Sequence, residues 1–364
     1  MRVGVDLLFL LPGRVGGTET YAWQLIGELV TRPDVQLVLF TNRSTPVPRV
    51  VQTKAEVIQL NLTGESRANR LLQAQTALPR IAARSGIGIL HSMGGTCPLR
   101  SRQPVVVTIH DANWRAVDMS PAKRLGLAVM TRLSARAARY VITVSRFSQR
   151  ELIRWVGVPK KKLWLTPNGV GNDTVGRCWN ERDTGGYVFA LAGVGRSKNI
   201  ETLLAAFLGI RGDFPGLRLV IAGHTNETVK RLASRNTSVE IRGFVAREEL
   251  LALYTKAQVF VMPSLYEGFG IPLAEAMAMG VPSVAANAGA LPEVADGAAF
   301  LFEGRNTGEL ERALRVVLGS ARVREELSIK GRLKAARFSW ESTADATLSC
   351  YRAALNSGCG DGRE

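Results

Sequence analysis

Two carboxylates eight positions apart, Glu267 and Glu275, frame the run Gly268-Phe269-Gly270-Ile271-Pro272. A carboxylate accepts two adjacent hydroxyls at once, so a pair suits a ligand with a sugar at each end and phosphate between. The amides of Gly268 to Ile271 stand where a helix begins, and such a terminus favours an anion. A second cationic turn lies upstream, where Arg196 and Lys198 follow Gly193 and Gly195. Arginine offers a planar fork and lysine a point charge, a combination fitted to a diphosphate. His110 and Asp111 end an apolar run, Val105-Val106-Val107-Thr108-Ile109, and an imidazole at a strand end can position or move a proton. Asp111 can orient His110 or cap the next segment. His91-Ser92 closes the preceding strand in the same manner, with a weaker case for chemistry.

These residues depend on strand–loop–helix turns. Val259-Phe260-Val261-Met262 reads as a buried parallel strand ending at Pro263. Pro272 fits the first turn of the helix that continues through Leu273, Ala276, Met277 and Ala278. The same order recurs at the start of the chain: strand Val3–Leu10, the loop Pro12-Gly13-Arg14-Val15-Gly16-Gly17, then a helix over 18–31 with Thr18 as its cap. Gly16 and Gly17 let backbone amides approach a phosphate. The loop is not Gly-x-Gly-x-x-Gly and no acid closes the next strand (Leu37–Thr41), which disfavours a nicotinamide site. Further strands are expected at 57–60, 87–91, 105–110 and 140–144, with a helix over 70–85. Ser145 caps the helix after the last of these strands.

Residues 171–186 are rich in Gly, Asp, Asn and Arg and read as a linker. A new alternation begins beyond them: strands at 187–192, 217–222, 239–243, 258–261 and 282–285 with helices between, then helices over 308–318 and 323–337. A last helix is capped by Phe338-Ser339-Trp340-Glu341. The expectation is an α/β protein of two Rossmann-like domains, 1–172 and 185–337, with 338–356 as a terminal helix.

The net charge of +16 is unevenly placed, because residues 1–175 hold 24 Lys/Arg against 10 Asp/Glu and residues 176–364 hold 23 against 21. An anionic partner is therefore expected at the first half: membrane lipid, a phosphorylated acceptor or nucleic acid. Lys123 to Arg139 mixes Leu125, Leu127, Val129, Met130 and Leu133 with Lys123, Arg124, Arg132, Arg136 and Arg139 at helical spacing. Such a helix lies on an anionic membrane or packs its apolar side on the sheet. No apolar run reaches membrane-spanning length, the amino end lacks a signal peptide's pattern, and Cys97, Cys178, Cys350 and Cys359 show no metal or redox spacing. A cytoplasmic protein without a metal or other cofactor is expected.

The string Pro-Ser-Leu-Tyr-Glu-Gly-Phe-Gly…Glu-Ala-Met-Ala-Met-Gly-Val-Pro around Glu267 and Glu275 resembles the Glu-x7-Glu motif of retaining, GT-B-fold glycosyltransferases of family 4. The resemblance covers the C-terminal half best. It implies that Glu275 grips the nucleotide ribose, that Glu267 contacts the donor sugar, and that the loop amides, Gly268, Phe269, Gly270 and Ile271, hold sugar and diphosphate. Gly16 and Gly17 would approach the donor phosphates, as would Ser145 in Val-Ser-x-Phe-Ser. Gly195, Arg196 and Lys198 would hold the leaving pyrophosphate, while Gly243 and Val245 line the base. His110 would sit beside the donor sugar.

Two domains facing a cleft, with the C-terminal helix crossing back to the first, are implied as the fold. The implied reaction is metal-independent, retaining transfer of a hexose or deoxyhexose from a nucleoside-diphosphate sugar, GDP-mannose first. The acceptor would be a glycan or polyprenyl-diphosphate-linked glycan in bacterial polysaccharide synthesis, met in the cytoplasm at the inner membrane face, with no nucleic-acid partner expected. No Asp-x-Asp triplet is present. The alternatives are a GT-B sugar-nucleotide epimerase and a non-enzymatic, basic membrane- or nucleic-acid-binding protein.

Overall fold

The computed structural model describes every residue except 12–15, 62–65, 118, 175, 194 and 358–364. The loop residues Pro12 to Val15, Val194 and the tail beyond Ser357 thus lie outside the described residues.

The chain divides into two compact units: Met1–Trp114, Met119–Gly169 and Trp340–Glu364 form one, Arg115–Asp118 and Val170–Ser339 the other. The first is built on β1 (Arg2–Asp6), β2 (Gln36–Thr41), β3 (Glu56–Gln59), β4 (Ile89–Ser92), β5 (Val105–Thr108), β6 (Tyr140–Thr143) and β7 (Leu163–Leu165). All pair in parallel, in the order β3-β2-β1-β4-β5-β6-β7. The central strands β1, β4 and β5 are buried along almost their whole length, apolar in their middles and polar toward their carboxyl ends at Asp6, His91, Ser92 and Thr108. Gly4 shows how tight that centre is, since a Cβ there would lie 2.4 Å from Ile87 Cδ1 and 2.8 Å from Phe40 Cε2.

The helix Trp340–Asn356 belongs to this unit. Its Tyr351 hydroxyl lies 2.6 Å from His91 Nδ1, and its Thr343 hydroxyl donates to Pro167 O at 2.6 Å.

Three local expectations change here. β1 ends at Asp6 instead of Leu10, because the Asp6 carboxylate accepts the Leu8 amide and Leu10 N–H turns back to Leu7 O. The next helix, Gly17–Leu29, takes Gly16 as its N-cap at φ 55° with no side-chain cap, so Thr18 already lies inside it. The helix expected over 70–85 begins a turn earlier, as Arg67–Arg84, because Ser66 caps it through the Asn69 amide.

The second unit carries β8 (Tyr187–Leu191), β9 (Arg218–Ala222), β10 (Val239–Gly243), β11 (Val259–Met262), β12 (Ser283–Ala286) and β13 (Phe300–Phe302). They form a parallel sheet in the order β10-β9-β8-β11-β12-β13. The edge strand β13 is too short to show a period in the sequence. The stretch read as a linker is partly built into this unit: Trp179 is buried, its indole donates to Ala257 O at 2.8 Å and its amide to Met279 O at 2.8 Å.

Candidate functional site

The loop from β11 to the helix Ile271–Ala278 holds Glu267 to Gly270 at the carboxyl edge of the second sheet. Gly270 is the N-cap at φ 101° and no side chain caps the helix, which leaves its opening amides without a built-in acceptor from a cap. A Cβ at Gly270 would meet Leu291 Cδ2 at 2.7 Å. The neighbouring loop closes on Glu267 at Gly289, φ 61°, where a Cβ would lie 2.7 Å from Glu267 N and 2.8 Å from its O. Ala290 N–H then donates to Glu267 O at 3.0 Å. Backbone contact thus fixes Glu267 from behind while its side chain meets Lys198, with Nζ 2.6 Å from Oε1. Phe269 is buried edge-on against Phe338, centroids 5.3 Å apart, so its ring packs and only its backbone remains to meet a ligand.

Lys198 ends a 3-10 turn, Arg196–Lys198, that precedes the helix Ile200–Ile210. The sequence pattern predicts a simple helix start here; the structure inserts the turn. Between turn and helix Asn199 adopts φ 55°, and its side-chain amide donates to Pro263 O at 3.0 Å and also to Gly304 O. Leu265 N–H donates to Ser197 O at 2.7 Å. The cationic turn and the Glu267 loop are therefore tied to one another. Arg196 is exposed and lines a cavity of about 1160 Å³ with Ser197, Tyr266 and Arg305, whereas Lys198 reaches Glu267. Gly195, at φ 117°, caps the turn. Gly243 ends β10 at φ 64°, with a largely exposed Phe244 and a half-buried Val245 next in the chain.

Glu275 sits deeper than a helix-surface acid, at 4% exposure. Arg247 Nη2 lies 2.7 Å from its Oε1. The same guanidinium grips Asp173 twice, Nε to Oδ2 at 2.7 Å and Nη2 to Oδ1 at 2.9 Å. Burial raises the Glu275 pKa, and the Arg247 contact works against that rise. Asp173 is held below its ordinary value by the Arg247 bond. Sequence reasoning missed Arg247, Asp173 and the anchoring role of Asn199. The basic residue opening Arg247-Glu248-Glu249-Leu250 was the only available signal, and it looks like any helix start.

In the first unit, Gly16 and Gly17 are exposed at the start of their helix, and Ser145 is buried with its hydroxyl accepting the Ser148 amide at 2.9 Å. His110 bonds the Met93 backbone, stands edge-on to Tyr21 at 4.7 Å, and keeps a buried Nε2 with no hydrogen-bond partner in the described structure. Burial pushes its pKa down to about 4. Asp111 Oδ1 accepts the Asn113 amide at 2.8 Å, which caps the next turn. His91 is different. Both its nitrogens are engaged, Nδ1 with Tyr351 and Nε2 with Thr108 Oγ1 at 2.7 Å, and burial takes its pKa down to about 3. It is a structural joint. Beside it, Asp6 is buried and its pKa is pushed up to about 6 by desolvation, against bonds from Leu8 N–H and Ser92 Oγ. Among the described residues no group of three or more His, Cys, Asp or Glu is placed to hold a metal ion.

Comparisons with known proteins agree across both units. The O-antigen chain mannosyltransferase B of Escherichia coli is 29% identical over 240 residues, covering 60% of this chain and 62% of the relative. The MMP alpha-(1->4)-mannosyltransferase of Mycolicibacterium hassiacum is 32% identical over 272 residues, covering 69% and 66%. The match thus spans just under two thirds of each relative. The structure of sucrose-phosphate synthase from Thermosynechococcus elongatus superposes with a TM-score of 0.80 at 21% identity, over 98% of this chain and 100% of that one. Residues 15–173 match the family described as Glycosyltransferase Family 4 and residues 177–334 that described as Glycosyl transferases group 1. With a parallel Rossmann-like sheet in each unit and both halves matched, the chain belongs to glycosyltransferase family 4 and has the GT-B fold.

Proposed function

We propose that this protein transfers a hexose or deoxyhexose, mannose from GDP-mannose first, from a nucleoside-diphosphate sugar to a glycan or polyprenyl-diphosphate-linked glycan, with retained anomeric configuration and no metal ion. The observation that carries the reading is the pairing of Glu267 with Lys198 beside an uncapped helix start at Gly270. In this reading the second unit takes the sugar nucleotide and the first the acceptor. Glu275 takes the ribose, and Glu267 the sugar. Lys198 and the opening amides of the helix stabilise the departing diphosphate, catalysis by placement and fixed charge. Arg196, exposed on a cavity it lines with Ser197 and Tyr266, the chain neighbours of Lys198 and Glu267, is the second cation for the diphosphate. The acceptor hydroxyl attacks the face from which the diphosphate leaves, and the leaving phosphate takes its proton. The names of the two relatives support mannose as the sugar to try first.

We extend the proposal to an anionic lipid surface at the first unit. Leu125, Val129 and Leu133 on the helix Pro121–Ala137 are 66%, 45% and 36% exposed, and Arg132 and Arg136 share their outward face. Arg136 also lines a cavity of about 820 Å³ with Arg100, Arg102, Arg139 and Lys162. An apolar stripe among cations fits the interface of an anionic bilayer. Among the described residues no helix is long and apolar enough to cross a membrane.

Calorimetric titration with GDP, UDP, dTDP and ADP, with EDTA present, tests the donor assignment. Selective binding of one nucleotide supports it and limits the donor sugars to try. Failure of all four removes the proposed nucleotide site.

A further inference from the structure

We propose that Arg247 is a positioning residue for donor binding: anchored by Asp173, its guanidinium holds Glu275 as an oriented anion that accepts the ribose hydroxyls. This rests on Glu275 being the ribose ligand.

Three separate elements converge on the guanidinium. Asp173 belongs to the 3-10 turn Asn172–Thr174, Arg247 opens the helix Arg247–Thr255, and Glu275 lies in the helix Ile271–Ala278. Asp173 occupies the Nε/Nη2 edge of the fork, and Nη2 also serves Glu275 Oε1. One nitrogen therefore bonds both carboxylates, and Arg247 cannot turn away from Glu275 without disturbing its grip on Asp173.

Asp173 is itself braced. The Thr174 amide and hydroxyl both donate to Gly171 O, at 3.0 and 2.7 Å, and Arg177 Nε donates to Asp173 O at 3.1 Å. The turn is also closely fitted, because a Cβ at Gly171 would lie 2.5 Å from Asp173 Oδ1 and 3.4 Å from Arg247 Nη2.

The charge balance around Glu275 explains why an anchored arginine is needed. A carboxylate this deeply buried pays a large desolvation cost for its charge. The groups facing it are Arg247, the like-charged Asp173 and the buried Tyr254 phenol, which stays protonated; of the two charged groups only Arg247 favours the anion. A carboxylate has about four acceptor positions, so one guanidinium bond leaves room for a diol. A lysine would keep the charge but lose the fork that reaches two carboxylates in fixed geometry.

Removal of Arg247 gives a pH effect of definite sign. Without it the Glu275 pKa rises further, so the anion and the nucleotide affinity are present above that pKa and lost as pH falls through it.

The test is calorimetric binding of GDP at pH 6.5, 7.5 and 9, alongside 2′,3′-dideoxy-GDP; if another of the four nucleotides is the one that binds, it and its dideoxy form are used. The proteins are wild type, Arg247→Met, Arg247→Lys, Asp173→Asn, Glu275→Gln and the double variant Arg247→Met/Glu275→Gln. Each variant is read as its affinity relative to wild type at the same pH, which cancels titration of the nucleotide's own phosphate.

Arg247→Met is expected to bind about tenfold or more weakly at pH 6.5, with the deficit shrinking toward pH 9. Arg247→Lys recovers part of the loss, and Asp173→Asn shows a smaller loss in the same direction. Adding Arg247→Met to Glu275→Gln costs nothing more, because no anion remains to be held. That uncharged double variant also avoids leaving a buried charge unpaired, so the comparison survives if Arg247→Met alone folds poorly.

An Arg247→Met protein that matches wild type, or is weakened equally at every pH, overturns the proposal if wild type still prefers the ribonucleotide. If wild type does not distinguish the dideoxy form, the ribose assignment of Glu275 fails first and takes the proposal with it.

Discussion

Lys198 Nζ lies 2.6 Å from Glu267 Oε1, across 69 residues of sequence, at the start of two helices whose loops are joined by Leu265 N–H to Ser197 O. The pair holds an acid and a cation in one part-buried place. In the proposed reaction a bound sugar diphosphate would give Lys198 an anion to move to and Glu267 hydroxyls to accept. Lys198→Ala should therefore lower kcat by roughly 10²–10³-fold, the range for losing one charge-stabilising donor, with partial recovery in Lys198→Arg. Turnover of the sugar nucleotide selected by titration reads this. An unchanged kcat would detach the pair from the chemistry.

His110 and His91 are both held neutral by burial, at pKa about 4 and about 3. A histidine depressed below its unfolded value of roughly 6.5 contributes stability that is present above that value and lost as pH falls toward the folded pKa. Denaturant unfolding should show stability falling between pH 6.5 and 4 by a few kcal/mol, and less steeply in His91→Gln. Over pH 6 to 8, His110 should add no inflection to the rate profile. His110→Phe should cut turnover while leaving nucleotide affinity intact, since its Nε2 is the buried, unpartnered atom.

Asp6 behaves in the opposite sense. Its folded pKa of about 6 lies above the ordinary carboxylate range, so the folded state binds the extra proton and stability is lost as pH rises from about 4 to 6. Asp6→Asn keeps an acceptor for Leu8 N–H and removes the buried charge. It should be more stable than wild type at pH 7 by about 1–3 kcal/mol, with the gain vanishing below pH 4. Urea unfolding at the two pH values decides this.

Leu125 and Val129 stand on the exposed side of their helix, next to Arg132 and Arg136. Leu125→Glu/Val129→Glu should abolish co-sedimentation with vesicles containing anionic phospholipid and leave nucleotide binding unchanged. Equal sedimentation of variant and wild type would remove this face from the membrane proposal.

The sequence by itself determined the alternation of apolar strands and amphipathic helices, and so the two parallel sheets. It also determined which loops stand at the strand ends, because period, turn residues and glycines are local properties. Glu267, Glu275 and Lys198 were legible for that reason. Their partners were not. Arg247 is 74 residues from Asp173, and Tyr351 is 260 from His91. No local spacing encodes such pairs; they form only once sheet order and register have brought their elements together. The tertiary structure decided that Lys198 meets Glu267 while Arg196 is exposed, that His91 is a joint while His110 keeps an unpartnered nitrogen, and that Glu275 is buried against Arg247. Burial and ion pairing depend on what is folded against a residue, and that is fixed by packing rather than by neighbours in the chain.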